Sequence, residues 1–304
     1  MERIHVLGNT WCLNGRQLIP YYQVDEHTCI LLDGGRVSER EAIAAALEET
    51  GLRPVGIILT HMHFDHNENT KWLKERYGIP AAMSRGEADI CRSAVTLKNH
   101  LFNFTPGVIA STQRLQDIIC PIEYPLDADM GTFVFQGVPF EIIPTPGHAP
   151  DHIAVATPDG VCYLGDALLC GDSLTEQTTP FVFGLELDLE TKKRLLTLDY
   201  PRYIFAHKGI LEREEYPAVA QANIDQLLRR TEMIRVLVTE PMTFCRCYEC
   251  INQTLGQDKV HPVWNLQMER YLRPYLEYLV DSGQLKLVLG GGAPTVAPRD
   301  WADE

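Results

Sequence analysis

Short apolar runs alternate with helix-period stretches over the first two hundred residues. Residues 4–7, 19–24 and 29–32 read as strands, and Gly34-Gly35 closes that group as a turn. Ser38 then caps a helix rich in Ala, Glu and Leu that runs to about Thr50, with Gly51 as its stop. Residues 56–59 form a buried strand, 70–77 a helix and 79–83 another strand. A helical insertion covers about 86–119, interrupted at Thr105-Pro106-Gly107. The period of two returns at 132–135 and 139–143, with Gln136-Gly137 as a hairpin turn between them. Further strands are expected at 153–156, 161–164 and 203–205.

Beyond about Arg213 the pattern changes. Residues 214–238, 241–255 and 262–282 carry helical periodicity, the second with Pro241 near its first turn and the third with a division at Pro274. Residues 284–289 and 295–297 then read as a β-hairpin around Gly290–Gly292. The expected organisation is therefore a first unit over 1–212 and a C-terminal module over 213–304, without internal repeats.

At 304 residues, 45% hydrophobic and 22% charged, the chain has the composition of a globular protein with a substantial core. The net charge of -14 disfavours nucleic acid and anionic membranes as partners, because the electrostatic term has the wrong sign. No apolar run approaches the length of a bilayer span. The opening MERIHVLGNT lacks the basic start, apolar core and cleavage site of a secretory signal. With nine scattered cysteines, this points to reduced thiols in the cytoplasm.

Chemistry concentrates where strands give way to loops. THMHFDHNE, residues 60–68, places His61, His63, Asp65 and His66 directly after a buried strand. TPGHAPDH supplies His148, CYLGDALL supplies Asp166, and YIFAHKG supplies His207. Five imidazoles and two carboxylates without thiolate suit Zn, Fe or Mn. Seven ligands exceed one tetrahedral ion, so two divalent ions, zinc foremost, are expected, with one carboxylate between them. Such a pair lowers the pKa of a bridging water toward about 7 and polarises the scissile group.

The run H-x-H-x-D-H at 61–66, followed by His148, Asp166 and His207, resembles the metallo-β-lactamase superfamily of metal-dependent hydrolases. LLDGG at 31–35, TPGH at 145–148 and GD at 165–166 fit the same pattern. The resemblance covers about residues 1–210. It implies an α/β fold, a four-layer αββα sandwich with metals at one edge. It also implies His61, His63 and His148 at one ion, Asp65, His66 and His207 at the other, and Asp166 bridging. Asp33 would support the metal-binding loop, and Asp65 or a water would manage the proton. The motif order is similar to that of hydroxyacylglutathione hydrolases and acyl-homoserine lactonases, so an ester, thioester, lactone or phosphodiester of a small molecule is the expected substrate. Asp166 stands where β-lactamases use cysteine, which argues against a secreted antibiotic-destroying enzyme. Asn67-Glu68-Asn69 depart from the small residues of many members, and Lys208 follows His207.

The C-terminal module resembles the small winged-helix module appended to some members. It carries 10 basic and 13 acidic residues, a formal charge of -3. A DNA reader would be basic, so dimerisation, giving a homodimer, or covering of the active site is the expected role. Two rivals come from other classes. GDALLCG resembles persulfide dioxygenases, which use one iron held by two His and one Asp. Alternatively, the C-terminal module contacts nucleic acid. Flavin-partnered di-iron relatives usually carry Glu where this chain has His63.

Other candidates have plainer readings. His5, His27 and His261 are read as surface or packing residues, and His152 as structural or as support for the ligands. His100 is read as packing in the insertion, with an overhang of the metals as the sharper reading. Phe102 and Phe104 pack the insertion or line an apolar pocket. Cys245, Cys247 and Cys250 lack the paired spacing of a structural zinc site. They are expected as buried or half-buried thiols, and Cys170 as a packing residue.

Overall fold

The computed structural model describes residues 1–175, 179–256, 262–290 and 292–302. Its first sheet contains β1 (Glu2–Leu7), β2 (Thr10–Asn14), β3 (Leu18–Gln23), β4 (Thr28–Leu32), β5 (Arg53–Leu59), β6 (Ala81–Ser84) and β7 (Tyr124–Leu126), side by side in chain order. Strands β1 to β4 are antiparallel, whereas β4 to β7 are parallel. The second sheet contains β8 (Gly131–Phe135), β9 (Val138–Pro144), β10 (Ile153–Ala156), β11 (Val161–Tyr163), β12 (Arg202–Phe205) and β13 (Gly209–Glu212). They are again neighbours in chain order, and only β11 and β12 are parallel. The third sheet joins β14 (Met242–Thr243), β15 (Leu285–Gly290) and β16 (Ala293–Pro298), with β16 in the middle.

Strand alternation explains the layering. On β4, Ile30 and Leu32 enter a core shared with Phe140, Ile142, Tyr163 and Ile204 of the second sheet. Leu31 on the same strand faces the opposite way, toward Ile43 and Leu47 of the helix Arg40–Glu48. On β12, Ile204 points between the sheets while Tyr203 and Phe205 pack outward against Tyr216 and Ala220. The result is an α/β sandwich of two mixed sheets with helices on both outer faces. Gly56 on β5 marks a close approach of the sheets, because an added Cβ would lie 2.4 Å from the Phe135 ring.

The helix Tyr216–Leu237 serves two cores. Its start packs on the second sheet, and Ile224, Leu227 and Ile234 join Leu272, Tyr275, Leu276 and Val296 in the C-terminal region. That region consists of this helix, Phe244–Thr254, Pro262–Asp281 and the small antiparallel sheet. No helix among the described residues is long and apolar enough to cross a membrane.

Several local expectations need correction. Ser38 lies inside a 3-10 turn, Val37–Glu39, and makes no capping bond; the α-helix starts at Arg40. Pro241 lies outside the helix that follows, which starts at Phe244 and is capped by Thr243. Pro274 does not divide Pro262–Asp281. Thr105-Pro106 opens the helix Pro106–Ser111, the Thr105 hydroxyl accepting from the Val108 N–H. Strands β2, β7, β13 and β14 and the helix Leu185–Leu195 were not legible. In LELDLETKKRL the first five residues alternate apolar and polar, and the buried helix face includes Asp188 and Lys192, which pair at 2.6 Å. A charged pair on the inner face hides the period of 3.6.

Candidate metal centre

Five loops converge at one edge of the sandwich. Asp33 follows β4, His61 to His66 follow β5, His148 follows β9, Asp166 follows β11, and His207 follows β12. His61, His63 and His148 form one grouping with metal-ligand spacing. Asp65, His66 and His207 form another, and Asp166 joins His61 and His66 in a third. All seven expected side chains thus lie together. His63 Nδ1 is 3.0 Å from His148 Nε2, and Asp166 lies 3.3 Å from His66 Nε2 and from His207 Nε2 and 3.5 Å from His148 Nε2.

Hydrogen bonds behind the cluster aim these rings. Asp33, with φ of 67°, is fully buried. Its Oδ1 accepts from the Thr60 N–H at 2.7 Å. Its Oδ2 accepts from Thr60 Oγ1 at 2.9 Å, His66 Nδ1 at 2.6 Å and the Tyr163 hydroxyl at 2.7 Å. Because Thr60 donates its only hydroxyl proton to Asp33, its oxygen accepts from His61 Nδ1 at 3.0 Å. His148 Nδ1 donates to the Phe181 carbonyl at 3.1 Å. In the His61, His66 and His148 rings Nδ1 is engaged behind the cluster and Nε2 is turned into the shared space, the outer-partner arrangement typical of metal-bound imidazoles, whereas His63 presents Nδ1 to His148.

Burial and charge set the protonation pattern. Burial, reinforced by neighbouring imidazoles, holds His61 and His63 well below the ordinary histidine range, and burial also lowers His148. Burial opposes charge on His66 too, but Asp166 and Asp33 outweigh it and hold that ring well above the range. Asp166 likewise raises His207. Asp166 itself is held well below the carboxylate range, His207 and His66 overcoming its desolvation.

A metal fits these residues. His61 Nε2, His66 Nε2 and Asp166 Oδ1 are buried without a hydrogen-bond partner. His66 Nε2 and Asp166 Oδ1 approach to 3.3 Å without hydrogen-bond geometry. Orphaned buried polar atoms are costly, and three sharing one space are what a cation would satisfy. The nitrogen-and-carboxylate donor set is consistent with such a site.

The remaining candidates sort clearly. His152 is fully buried; its ring bonds Thr145 Oγ1 at 2.7 Å and accepts from the Asp166 N–H at 3.2 Å, so it positions the Asp166 loop. Gly165 is required there: φ is +52°, and an added Cβ would lie 2.8 Å from His152 Nε2. Asn67, Glu68 and Asn69 tie the ligand loop to its surroundings. Asn67 Nδ2 donates to the Ile118 carbonyl at 3.0 Å, Glu68 accepts from the Val37 N–H at 2.9 Å and pairs with Arg114, and Asn69 Nδ2 donates to the Arg36 carbonyl at 2.7 Å. Lys208 has φ of 65° and reaches Asn14 Oδ1 at 3.4 Å. His5 and His27 are exposed, while His261 lies outside the described residues. Cys170 is buried in the outer core of the second sheet. Cys247 is buried, Cys250 half-buried and Cys245 exposed, and no metal grouping among the described residues contains a cysteine.

Above the cluster lies a cavity of about 560 Å³. His63, Asp65, His148, Asp166 and His207 form its floor. Leu101, Phe104, Leu115 and Ile118 supply an apolar wall, Phe181 another, and Arg270 and Tyr271 reach in from the C-terminal helix. Phe104 therefore lines the cavity, whereas Phe102 is 53% exposed and lies under Arg273. His100 meets Arg270 Nη2 through its Nε2 at 2.7 Å.

Four residues around the cluster were not singled out from the sequence. Arg36 pairs with Asp65 at 2.8 Å. Glu87 is fully buried, accepts from the Met62 N–H at 3.1 Å and the Asp151 N–H at 3.0 Å, and links the His61–His63 loop to the loop after His148. Arg270 and Tyr271 sit in a helix without a motif. The Arg36 contact had one available cue, the arginine directly after LLDGG.

Known proteins resemble the chain in sequence and fold. A model of the metallo-β-lactamase superfamily matches residues 20–207. The chain is 26% identical over 194 residues to a protein of Bacillus subtilis (strain 168) named a probable metallo-hydrolase, covering 62% of this chain and 83% of that one. It is 29% identical over 147 residues to the hydroxyacylglutathione hydrolase of Klebsiella pneumoniae, covering 48% of this chain and 42% of that one. The crystal structure of a metallo-β-lactamase family protein from Thermus thermophilus superposes with a TM-score of 0.71 at 20% identity, covering 93% of both chains. With the matched family model spanning more than half of the sequence and the His/Asp cluster at the sandwich edge, the chain belongs to the metallo-β-lactamase superfamily and is a metallo-hydrolase of that superfamily.

Proposed function

We propose that the chain hydrolyses an acyl ester or thioester of a small molecule with the help of two divalent ions, zinc foremost and iron or manganese as alternatives. The observation that carries this reading is the set of orphaned buried atoms, His61 Nε2, His66 Nε2 and Asp166 Oδ1, with Asp166 lining a largely apolar cavity. His61, His63 and His148 would hold one ion, Asp65, His66 and His207 the other, and Asp166 would bridge. Bound there, the ions would activate water and polarise the acyl carbonyl.

The chain's own residues orient and enclose. Asp33 and Thr60 fix the rings of His66 and His61, and the Phe181 carbonyl fixes His148. Asp65, held by Arg36 and 3.6 Å from His207 Nε2, takes up the proton released by the attacking water. Leu101, Phe104, Leu115 and Ile118 exclude water and suit an acyl chain, which favours ester and thioester over phosphodiester. Residues 213–304 form a winged-helix-like module in this reading, supported by the order helix, short strand, helix, helix, hairpin. Its role is to cover the site, because Arg270 and Tyr271 enter the cavity.

Metal quantification of the purified protein, followed by a substrate panel, tests the reading. The panel contains S-octanoyl-N-acetylcysteamine, an acyl lactone, bis(p-nitrophenyl) phosphate and glutathione persulfide, the last with oxygen monitored. Thioester hydrolysis that His63→Ala abolishes is expected. Oxygen uptake with the persulfide and no hydrolysis would replace the hydrolase by an iron dioxygenase.

A further inference from the structure

We propose that Arg270 is an anion anchor contributed by the C-terminal helix, so that the substrate carries a carboxylate alongside its apolar acyl body. The inference rests on the acyl-hydrolase reading above and deepens it.

Buried charges in proteins are paired, because an unpaired one loses its hydration without compensation. Three arginines that stay exposed or half-exposed in the C-terminal region show that pairing too. Arg235 pairs with Glu232, Arg246 with Glu249 and Arg273 with Glu269, at 2.6 to 2.9 Å. Arg270 departs from it: among the described residues no carboxylate pairs with it, although it lines the cavity over the metal centre. Its partner is the His100 ring, which accepts one N–H at 2.7 Å. The Phe181 ring lies 5.9 Å from the guanidinium carbon.

These contacts place the guanidinium without neutralising it. His100 is uncharged, since burial, reinforced by the Arg270 charge, pushes its pKa down to about 3. Arg270 itself is lowered to about 10, chiefly by burial, so it is still a cation at neutral pH. The two nearby floor carboxylates, Asp65 and Asp166, are engaged with Arg36 and with the imidazoles. A guanidinium has five N–H donors, and one contact to His100 leaves the fork available to a planar anion. A carboxylate suits this place better than a phosphate dianion, because the surrounding walls are apolar and the dianion loses more hydration.

The test measures binding to the full-length, chelator-treated protein, which removes anion binding by metal. Octanoate and octanamide are titrated calorimetrically into wild type, Arg270→Gln and Arg270→Lys. Wild type is expected to bind octanoate at least tenfold more tightly than octanamide. Arg270→Gln should bind the two alike, and Arg270→Lys should fall between. Arg270→Lys also controls for folding, because it keeps the charge on the same helix. Absence of a preference in wild type, or an undiminished preference in Arg270→Gln, overturns the proposal. Octyl phosphate binding better than octanoate overturns its carboxylate half.

A kinetic arm uses S-octanoyl-N-acetylcysteamine and its ω-carboxylated analogue with the metal-loaded enzyme. Arg270→Gln should raise KM at least tenfold more for the carboxylated thioester than for the neutral one, and equal changes in KM contradict the anchor. If neither thioester is cleaved, the acyl-hydrolase reading fails, and the binding result still decides the role of Arg270.

Discussion

The ligand cluster under the cavity comes from four strand-end loops with the Asp33 loop behind them, and the His61, His66, His148 and His207 rings each have a hydrogen-bonded partner behind them or a carboxylate beside them. The cavity walls come from the insertion between β6 and β7 and from the helix Pro262–Asp281, where apolar packing dominates and the Arg270–His100 contact joins the two segments. Floor atoms are fixed by directional bonds to buried groups and tolerate little change. Wall atoms are fixed by volume, which apolar residues of similar size can replace. Conserving chemistry and varying substrate are thus physically separate tasks in this molecule, carried by different parts of the chain.

The largest effect is expected at the ligand cluster. His61→Ala or Asp166→Asn should lose bound metal and lower kcat/KM by more than the roughly 100-fold typical of losing a supporting partner. Metal analysis and thioester kinetics measure this. Asp33→Asn comes next. It leaves all ligands in place but weakens acceptance from His66 and Thr60, so metal affinity should fall about 10- to 100-fold in a chelator competition. A larger loss for Asp33→Asn than for His61→Ala would break the hierarchy.

Glu87 supplies a pH test. Burial pushes its carboxyl up to about 7 from an ordinary 4.5. A folded-state pKa above the unfolded value means that the folded chain binds more protons between those two pH values. The associated stability is therefore present below about pH 4.5 and is lost as pH rises through about 7. Relative to Glu87→Gln, wild type should become less stable across that window, by roughly 3 kcal/mol in total. Urea unfolding of both proteins at several pH values measures the slope, and parallel curves would remove Glu87 as its source. The smallest effect is expected at the wall. Phe104→Leu should keep full metal content, lose less than about 1.5 kcal/mol of stability, and alter the preferred acyl length. Loss of metal in Phe104→Leu would show that floor and wall are not separate.

The same division explains what the sequence disclosed. His61, His63, Asp65, His66, His148, Asp166 and His207 were legible because each follows a buried apolar strand, and a strand end is a local signal. Asp33 was legible from its motif, and the two-sheet sandwich from the resemblance those motifs carry. Arg270 and Glu87 were not legible, since their significance lies in what they meet, His100 across 170 residues and the Met62 and Asp151 N–H groups. The helix Leu185–Leu195 was hidden by a buried ion pair on its inner face. Long-range pairing leaves no periodic trace.

Hydrolysis is proposed to depend on a pair of ions held by His61, His63, Asp65, His66, His148, Asp166 and His207. Metal should be stripped from the purified chain with chelator and returned in stepwise equivalents while bound metal and S-octanoyl-N-acetylcysteamine hydrolysis are followed together. Hydrolysis that vanishes on stripping and returns to a plateau at two ions per chain is the predicted result. Hydrolysis that survives complete removal of metal would contradict the account.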